Sequence, residues 1–256
     1  MNWTNKIMWA FEDEEYKPKR KVDNKQSFFH HHEMGIYPSY KLGRGARYES
    51  KNEKLFFFLL DLDPKVVRYY EQPVEIPVRF LGHNGVLERW IHVPDVLVFR
   101  EGSVPWLVQI KEPDPELEGN ASFSKLQEVC GEYAQSKGWK YSVIFPKNLP
   151  VQLLRNIKLL VNFLHLNNVS ADLINRIKTY LDIRPFSTVL ELSELYQPDY
   201  RSHEAIPVIF HMIAKGMLAT DLTVPVTSLS TVTILKEEGT GIIDYLEKGS
   251  NPNAYL

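Results

Sequence analysis

Several features that would mark a specialised class of protein are scarce or missing in this sequence. There is a single cysteine, Cys130, which excludes an internal disulfide and fits a reducing compartment. The longest apolar stretch, around residues 55–60, is far too short to cross a bilayer, and no basic stretch followed by an apolar one marks a signal peptide at the N-terminus. We therefore expect a cytoplasmic protein.

A large excess of one charge is also lacking, because the formal net charge of the 256 residues is −2. This excludes a protein that coats nucleic acid by bulk charge. The charges are unevenly placed, however: residues 17–54 hold ten Lys or Arg against four Asp or Glu, a local net of +6 that leaves −8 for the remainder. Cations for a DNA backbone ahead of carboxylates for a metal suit a DNA-cutting enzyme, although a solvated charged segment would give the same pattern.

The hydrophobic patterns predict an α/β fold with a mixed sheet, followed by a mainly helical region. Residues 1–46 are expected to form loops and short irregular elements. The elements expected after them are a helix over 49–62, strands over 66–80, 87–99, 104–113 and 139–146, and a helix over 122–138 that starts at a serine cap. The prolines at 146 and 150 indicate a boundary, so we predict a catalytic domain over 1–148.

Beyond that boundary the pattern becomes helical. Helices are expected over 151–166, 170–181, 187–196 and 202–216, followed by alternating runs over 217–235. Three helices and a β-hairpin are typical of a winged-helix domain, which we predict over 149–238. The helix over 202–216 has the position of a recognition helix, but it is mostly apolar, which favours packing or protein docking. Residues 239–256 are expected to be a mobile or partner-binding tail.

The run VPDVLVFREGSVPWLVQIKEP at 93–113 contains the candidate chemistry. Two strands joined by a Glu-Gly-Ser turn would bring Asp95, Gln109 and Lys111 to one edge of a hairpin, and residues 109 and 111 share a strand face. A carboxylate, an amide oxygen and an ammonium at one place suit the binding of Mg²⁺ beside a phosphodiester. Each of these residues alone would be an ordinary turn or polar edge residue.

An acid on the preceding helix would complete the order of a metal-dependent nuclease. Glu53 is the leading candidate and Glu49 the reserve, because residues four apart project from one helical face. We expect up to two Mg²⁺ ions, replaceable by Mn²⁺, with ligands from Glu53, Asp95, Gln109 and the Ile110 carbonyl. Lys111 would orient the attacking water or steady the scissile phosphate.

The sequence around these residues resembles that of a known protein family. The run from residue 50 to 73, then VPDVLVF and LVQIKEP, resembles TnsA, the endonuclease subunit of heteromeric DNA transposases, over roughly residues 40–235. The resemblance implies a restriction-endonuclease-like catalytic domain and a winged-helix-like C-terminal domain. It also implies a catalytic set of Glu53, Asp95, Gln109 and Lys111, with Glu53 favoured over Glu49 by the register of Glu-Gln-Pro at 71–73.

The same resemblance implies a role in a bacterial transposition complex. The enzyme would cut the 5′ strands of double-stranded DNA at the transposon ends, a TnsB-type transposase would process the 3′ strands, and a TnsC-type ATPase regulator would dock on the C-terminal region. The rivals left open are a stand-alone restriction or repair nuclease on the same fold, and a non-catalytic DNA- or protein-binding subunit.

Other polar residues allow weaker predictions. Arg44 and Arg47 could contact DNA phosphates or lie in a solvated loop. His30, His31 and His32 are not expected to share a metal, because three adjacent histidines cannot converge on one ion. Glu112 is expected to be structural or solvated, and Asp114 and Glu116 to lie in a loop.

Overall fold

A computed structural model describes residues 2–20, 33–81, 87–114, 120–235, 241–244 and 246. Within these ranges the chain forms two compact units. The first comprises described residues of Met1–Phe57 and Lys65–Asn148, and the second comprises those of Phe58–Pro64 and Leu149–Leu256. No helix in the described ranges is long and apolar enough to cross a membrane.

The first unit is a mixed α/β domain, as the patterns predict. Its elements, with the helix that continues into the second unit, are α1 (Ala10–Glu15), β1 (Gly35–Ser39), β2 (Arg44–Tyr48), α2 (Lys51–Leu62), β3 (Val66–Glu71), β4 (Ile76–Leu81), β5 (Leu87–His92), β6 (Val96–Arg100), β7 (Trp106–Ile110), α3 (Ala121–Ser136) and β8 (Lys140–Ile144).

The central sheet has the strand order β3-β6-β7-β8. The pairs β3–β6 and β6–β7 are antiparallel, and β7–β8 is parallel. All five residues of β6 and of β7 are buried, as expected for strands covered on both faces. The mixed sheet flanked by helices fits a restriction-endonuclease-like fold.

Side chains of the two helices cover opposite faces of this sheet. Phe56 of α2 meets Trp106 edge to face with ring centroids 6.0 Å apart. Cys130 and Ala134 of α3 lie in a buried cluster with Leu107, the next residue along β7. Because successive strand residues point to opposite faces, this alternation places α2 and α3 on the two sides.

The prediction of irregular structure over residues 1–46 was wrong in two places. Trp3 and Trp9 pack their rings edge to face on Phe99, with centroids 5.0 and 5.2 Å away, so the N-terminal segment covers part of the core. The glycine-rich stretch expected to be a loop supplies β2, which pairs with β1 in an antiparallel hairpin. Gly43 allows the turn because its φ of +64° suits a residue without a Cβ.

Helix α3 confirms the helix expected over 122–138, with a different cap. Asn120, and not a serine, is the N-cap, and its side chain accepts a hydrogen bond from the Phe123 N–H at 3.0 Å. The chain leaves the helix at Gly138, whose φ is +69°.

The second unit begins with the helical region expected beyond residue 149. Its further elements are α4 (Val151–Leu160), a 3₁₀ turn (Val161–Phe163), α5 (Ala171–Ile183), β9 (Ser187–Thr188), α6 (Val189–Leu195), α7 (Ser202–Ala214), β10 (Leu218–Ala219) and β11 (Thr231–Ile234). The helix expected over 187–196 starts later, because its first residues form β9 and Thr188 then caps α6. The three strands make a sheet in the order β10-β11-β9.

The tail expected over 239–256 lies mostly outside the described residues. In the part that is described, Ile243 is fully buried and its N–H donates to the Asp63 carboxylate at 2.8 Å.

Candidate functional site

The residues expected to form a site line one pocket of about 410 Å³ in the first unit. It lies where α2 and β6 begin and where β5 and β7 end. Its lining includes the acids Glu49 and Glu53 from the start of α2, Asp95 from just before β6, and Gln109, Ile110 and Lys111 from the end of β7.

Asp95 is held directly against the end of β7. It lies one step beyond the Val96–Val108 pair, which puts it opposite Gln109 in the register. Asp95 Oδ2 accepts hydrogen bonds from the Gln109 side-chain amide and from the Ile110 backbone N–H, each at 2.5 Å. The strand pairing thus fixes one carboxylate oxygen and leaves the other, Oδ1, for a ligand.

The electrostatics of the pocket disfavour the charged form of this carboxylate. Burial, followed by the negative charge of Glu53, raises the pKa of Asp95 to about 8, although the Ile110 N–H and the Lys111 ammonium oppose the shift. Burial also raises the pKa of Glu53, against two hydrogen bonds that lower it. The two carboxylates lose solvation and repel each other. A cation bound between them would therefore be favourable, because it would stabilise their charged forms.

Glu53 has a structural contact as well as a place in the pocket. It is the third residue of α2, and its carboxylate accepts hydrogen bonds from the Glu49 N–H at 2.8 Å and the Ser50 hydroxyl at 2.9 Å. The Ser50 hydroxyl in turn accepts from the Glu53 N–H at 3.1 Å, a reciprocal arrangement like a capping box. These contacts hold the Glu53 carboxylate at the start of the helix, where the residue lines the pocket.

Glu49 does not share a helical face with Glu53, as the four-residue spacing suggested, because α2 begins only at Lys51. Its carboxylate pairs with Arg20 at 2.9 Å and accepts from the Gln72 side chain at 3.1 Å. Of the two acids, Glu53 has the larger effect on the pKa of Asp95. Glu53 is therefore the better placed helical acid.

Gln72 supports two residues of the site, Glu49 and Asp95, and the sequence reasoning missed it. Its φ of +49° is rare outside glycine, and it allows the backbone N–H to donate to the Asp95 carbonyl at 2.8 Å while the side chain contacts Glu49. A non-glycine residue in this conformation leaves no sequence signal, because the proline that follows it favours an extended conformation.

His92 is a second residue that the sequence reasoning missed. It ends β5 three residues before Asp95, and its Nε2 lies 2.8 Å from Gln109 Oε1. Since the Gln109 amide group donates to Asp95, its carbonyl oxygen faces His92. Burial lowers the pKa of His92.

Lys111 extends the β7–β8 ladder by one residue, because its N–H donates to the Ile144 carbonyl at 3.0 Å. Its carbonyl accepts from the Asn52 side chain at 3.4 Å, a weak contact, and the buried Asn52 Oδ1 has no partner among the described residues. Lys111 lines the pocket, and the positive charge of its ammonium group lowers the pKa of Asp95.

The weaker predictions have different outcomes. Arg44 makes a bidentate pair with the buried Glu71, at 2.6 and 2.9 Å, so its guanidinium already has a counter-ion. Arg47 is exposed on β2, and neither arginine is among the described residues lining the pocket. Glu112 pairs with Lys147 at 2.5 Å. The predictions for His30, His31, His32 and Glu116 fall outside the described residues, and Asp114 lies in a loop.

The donor set fits Mg²⁺ in its chemistry. Carboxylates of Glu53 and Asp95 and the Ile110 carbonyl are hard oxygen donors, whereas Gln109 would need to turn its carbonyl away from His92 to join them. Within the described ranges, no group of three or more His, Cys, Asp or Glu is arranged to hold a metal. The set has only two leading carboxylates, so neutral oxygens would have to complete the coordination.

The part of the chain that holds Asp95 and the Gln-Ile-Lys run matches a known family. Residues 63–145 match the family model described as TnsA-like endonuclease N terminal. This region is thus similar to the N-terminal domain of TnsA-like endonucleases. No curated protein matches the chain.

The match covers about a third of the chain and divides the candidate site. Asp95, Gln109, Ile110 and Lys111 lie inside it, and Glu49 and Glu53 lie before its first residue. The resemblance drawn from the sequence is therefore confirmed for the central sheet.

Proposed function

We propose that the protein is a Mg²⁺-dependent DNA endonuclease subunit of a cut-and-paste transposase, acting in the bacterial cytoplasm on the 5′ strands of the element ends. The observation that carries the proposal is the contact between Asp95 and the end of β7, in a pocket that also holds Glu53 and Lys111. The match of this region to the TnsA-like endonuclease domain supports the same reaction.

The chemistry assigned to the chain's own residues follows from their charges. Glu53, Asp95 and the Ile110 carbonyl would hold the metal, joined by Gln109 once its amide turns. Bound there, Mg²⁺ or Mn²⁺ would neutralise charge on the phosphate and favour ionisation of water. Lys111 would hold the phosphate or the attacking water by its ammonium group. Hydrolysis would leave a 3′-hydroxyl and a 5′-phosphate.

We also propose that the second unit is a winged-helix domain that binds protein and not a base sequence. Its order from α5 is helix, strand, helix, helix, strand, strand, with β11 between β10 and β9. Helix α7 buries much of its apolar surface, which leaves little of it for a DNA groove.

A pocket of about 700 Å³ in the second unit supports protein docking. Its rim includes Ile183, Phe186 and Leu195, whose large apolar side chains are exposed. We propose that an ATPase regulator of the TnsC type contacts this unit, while a transposase of the TnsB type cuts and joins the 3′ strands.

The test is reconstituted excision assayed strand by strand. Asp95→Ala and Lys111→Ala should each reduce release of the 5′ strands by roughly 100-fold or more, because the first removes a metal ligand and the second a cation that acts at the reacting phosphate. Cleavage of the 3′ strands should persist. Removing the metal with EDTA should stop 5′ cleavage, and Mg²⁺ should restore it.

Release of the 5′ strands at the normal rate by both variants would refute the proposed site. A wild-type protein that cuts DNA efficiently without partners would instead indicate a stand-alone nuclease. A fully assembled complex in which no 5′ cleavage depends on this chain would indicate a non-catalytic subunit.

A further inference from the structure

The two-stranded ribbon formed by β4 and β5 has an unusual pair of charges. In its antiparallel register Arg79 lies directly opposite Arg89. Both residues are exposed, whereas Ile76 and Val78 of β4 are almost fully buried. The ribbon therefore has an inner apolar face and an outer face on which two guanidinium groups are neighbours.

Like charges directly opposite each other destabilise a strand pair. Among the described residues, neither Arg79 nor Arg89 has a hydrogen-bond or ion-pair partner. Arg44 is different, because its guanidinium is neutralised by Glu71 within the unit. The outer face of the ribbon thus presents two cations at one place without a described anion to balance them.

The ribbon leads directly into the candidate site. β5 ends at His92, which contacts Gln109, and Asp95 follows three residues later. Arg89 lies three residues before His92, a distance of about 10 Å along a strand, and its side chain points to the opposite face of β5 from that of His92.

We propose that the β4–β5 ribbon is a binding surface for the phosphate backbone of double-stranded DNA, which Arg79 and Arg89 contact on its outer face. Arginine forks match phosphate oxygens in a bidentate manner, and an anion between the two guanidinium groups removes their repulsion. A two-stranded ribbon is also narrow enough to follow a DNA groove. The choice of DNA as the occupant rests on the proposed nuclease function.

The experiment measures binding and not cleavage. The full-length protein in EDTA is titrated against a fluorescein-labelled duplex, and the dissociation constant is followed by anisotropy at several salt concentrations between 50 and 200 mM. Arg79→Gln/Arg89→Gln should weaken binding tenfold or more at the lower salt concentrations. It should also reduce the slope of log K against log salt by about 2, since each phosphate contact contributes about 0.9.

Two controls separate this effect from folding and from net charge. The double glutamine variant should unfold at the same temperature as the wild type or higher, because it removes a repulsive pair. Arg79→Lys/Arg89→Lys should keep most of the salt slope. Arg155→Gln/Lys158→Gln, which removes two exposed cations from α4, should leave both affinity and slope unchanged.

The proposal is overturned if Arg79→Gln/Arg89→Gln binds duplex like the wild type, if the α4 control loses as much affinity, or if the wild type itself does not bind duplex. A ribbon that binds an acidic protein would give the first of these results. Ribbon-dependent binding together with normal 5′ cleavage by the Asp95→Ala variant would uphold this inference and refute the proposed catalytic site.

Discussion

At the scale of single residues, the site depends on groups whose positions are set by their neighbours. Spacing along the sequence was enough to group Asp95, Gln109 and Lys111, because strand alternation is regular and a short turn joins β6 to β7. It was not enough for Gln72, whose role depends on a rare φ of +49°. Nor could it show that the Gln109 carbonyl faces His92, since that orientation follows from a hydrogen bond between distant strands.

The choice between the two helical acids can be tested at this scale. Glu53→Gln should lower 5′ cleavage by roughly 100-fold or more, because it removes a charge from the pocket. It should change the melting temperature little, since a glutamine oxygen can still accept the Glu49 N–H at the helix start.

Glu49→Gln is the matched control for this change. It loses the exposed ion pair with Arg20, a contact of small energetic value, and should cleave at close to the wild-type rate. The reverse result, with Glu49→Gln inactive and Glu53→Gln active, would make Glu49 the helical acid. Strand-specific excision assays and thermal unfolding of both variants provide the comparison.

At the scale of elements, the sequence predicted those with long or regular patterns and missed those held by distant contacts. Helix α2 and strands β6 and β7 have strong apolar patterns and were found. The N-terminal segment was missed because α1 is only six residues long and buries no side chain of its own. Its aromatic residues find their partners about 90 residues along the chain, at Phe99, and no local pattern could predict that contact.

The N-terminal segment should therefore contribute to stability. Trp9→Ala should lower the free energy of unfolding by about 2 kcal/mol, less than for a fully buried tryptophan, because Trp9 is only partly buried. The control is Phe11→Ala, which changes a side chain that is 72% exposed two residues away. Urea unfolding should separate the two variants, and equal midpoints would mean that the segment does not stabilise the core.

At the scale of the whole molecule, a boundary drawn along the sequence differs from the division of the folded chain into two compact units. The proline-rich stretch at 146–150 indicated where the chain changes pattern. Nothing in the sequence indicated that Phe58–Pro64 would pack with the later residues, because the helix pattern of α2 is continuous through residue 57. Leu59 and Leu60 of this stretch are fully buried, and Asp63 accepts the Ile243 N–H.

A fragment of residues 1–148 should consequently be prone to aggregation. It would keep Leu59, Leu60 and Leu62 while losing the other residues of their unit, and exposing apolar surface of this kind promotes aggregation. We expect it to bind a hydrophobic dye and to aggregate. The control is the same fragment with Leu59→Ser and Leu60→Ser, which should be less prone to aggregate. A monomeric 1–148 fragment that melts like the intact protein would contradict this expectation.

The division of α2 between the two units also bears on how such proteins can diversify. A genetic exchange that replaced only the residues after 148 would leave the incoming unit with a foreign helix segment. In related sequences, substitutions at residues 58–64 should therefore correlate with substitutions in the second unit. Their correlation with substitutions around Asp95 should be weaker. The start of α2, which presents Glu53, would then vary with the candidate site, and its later residues would vary with the second unit.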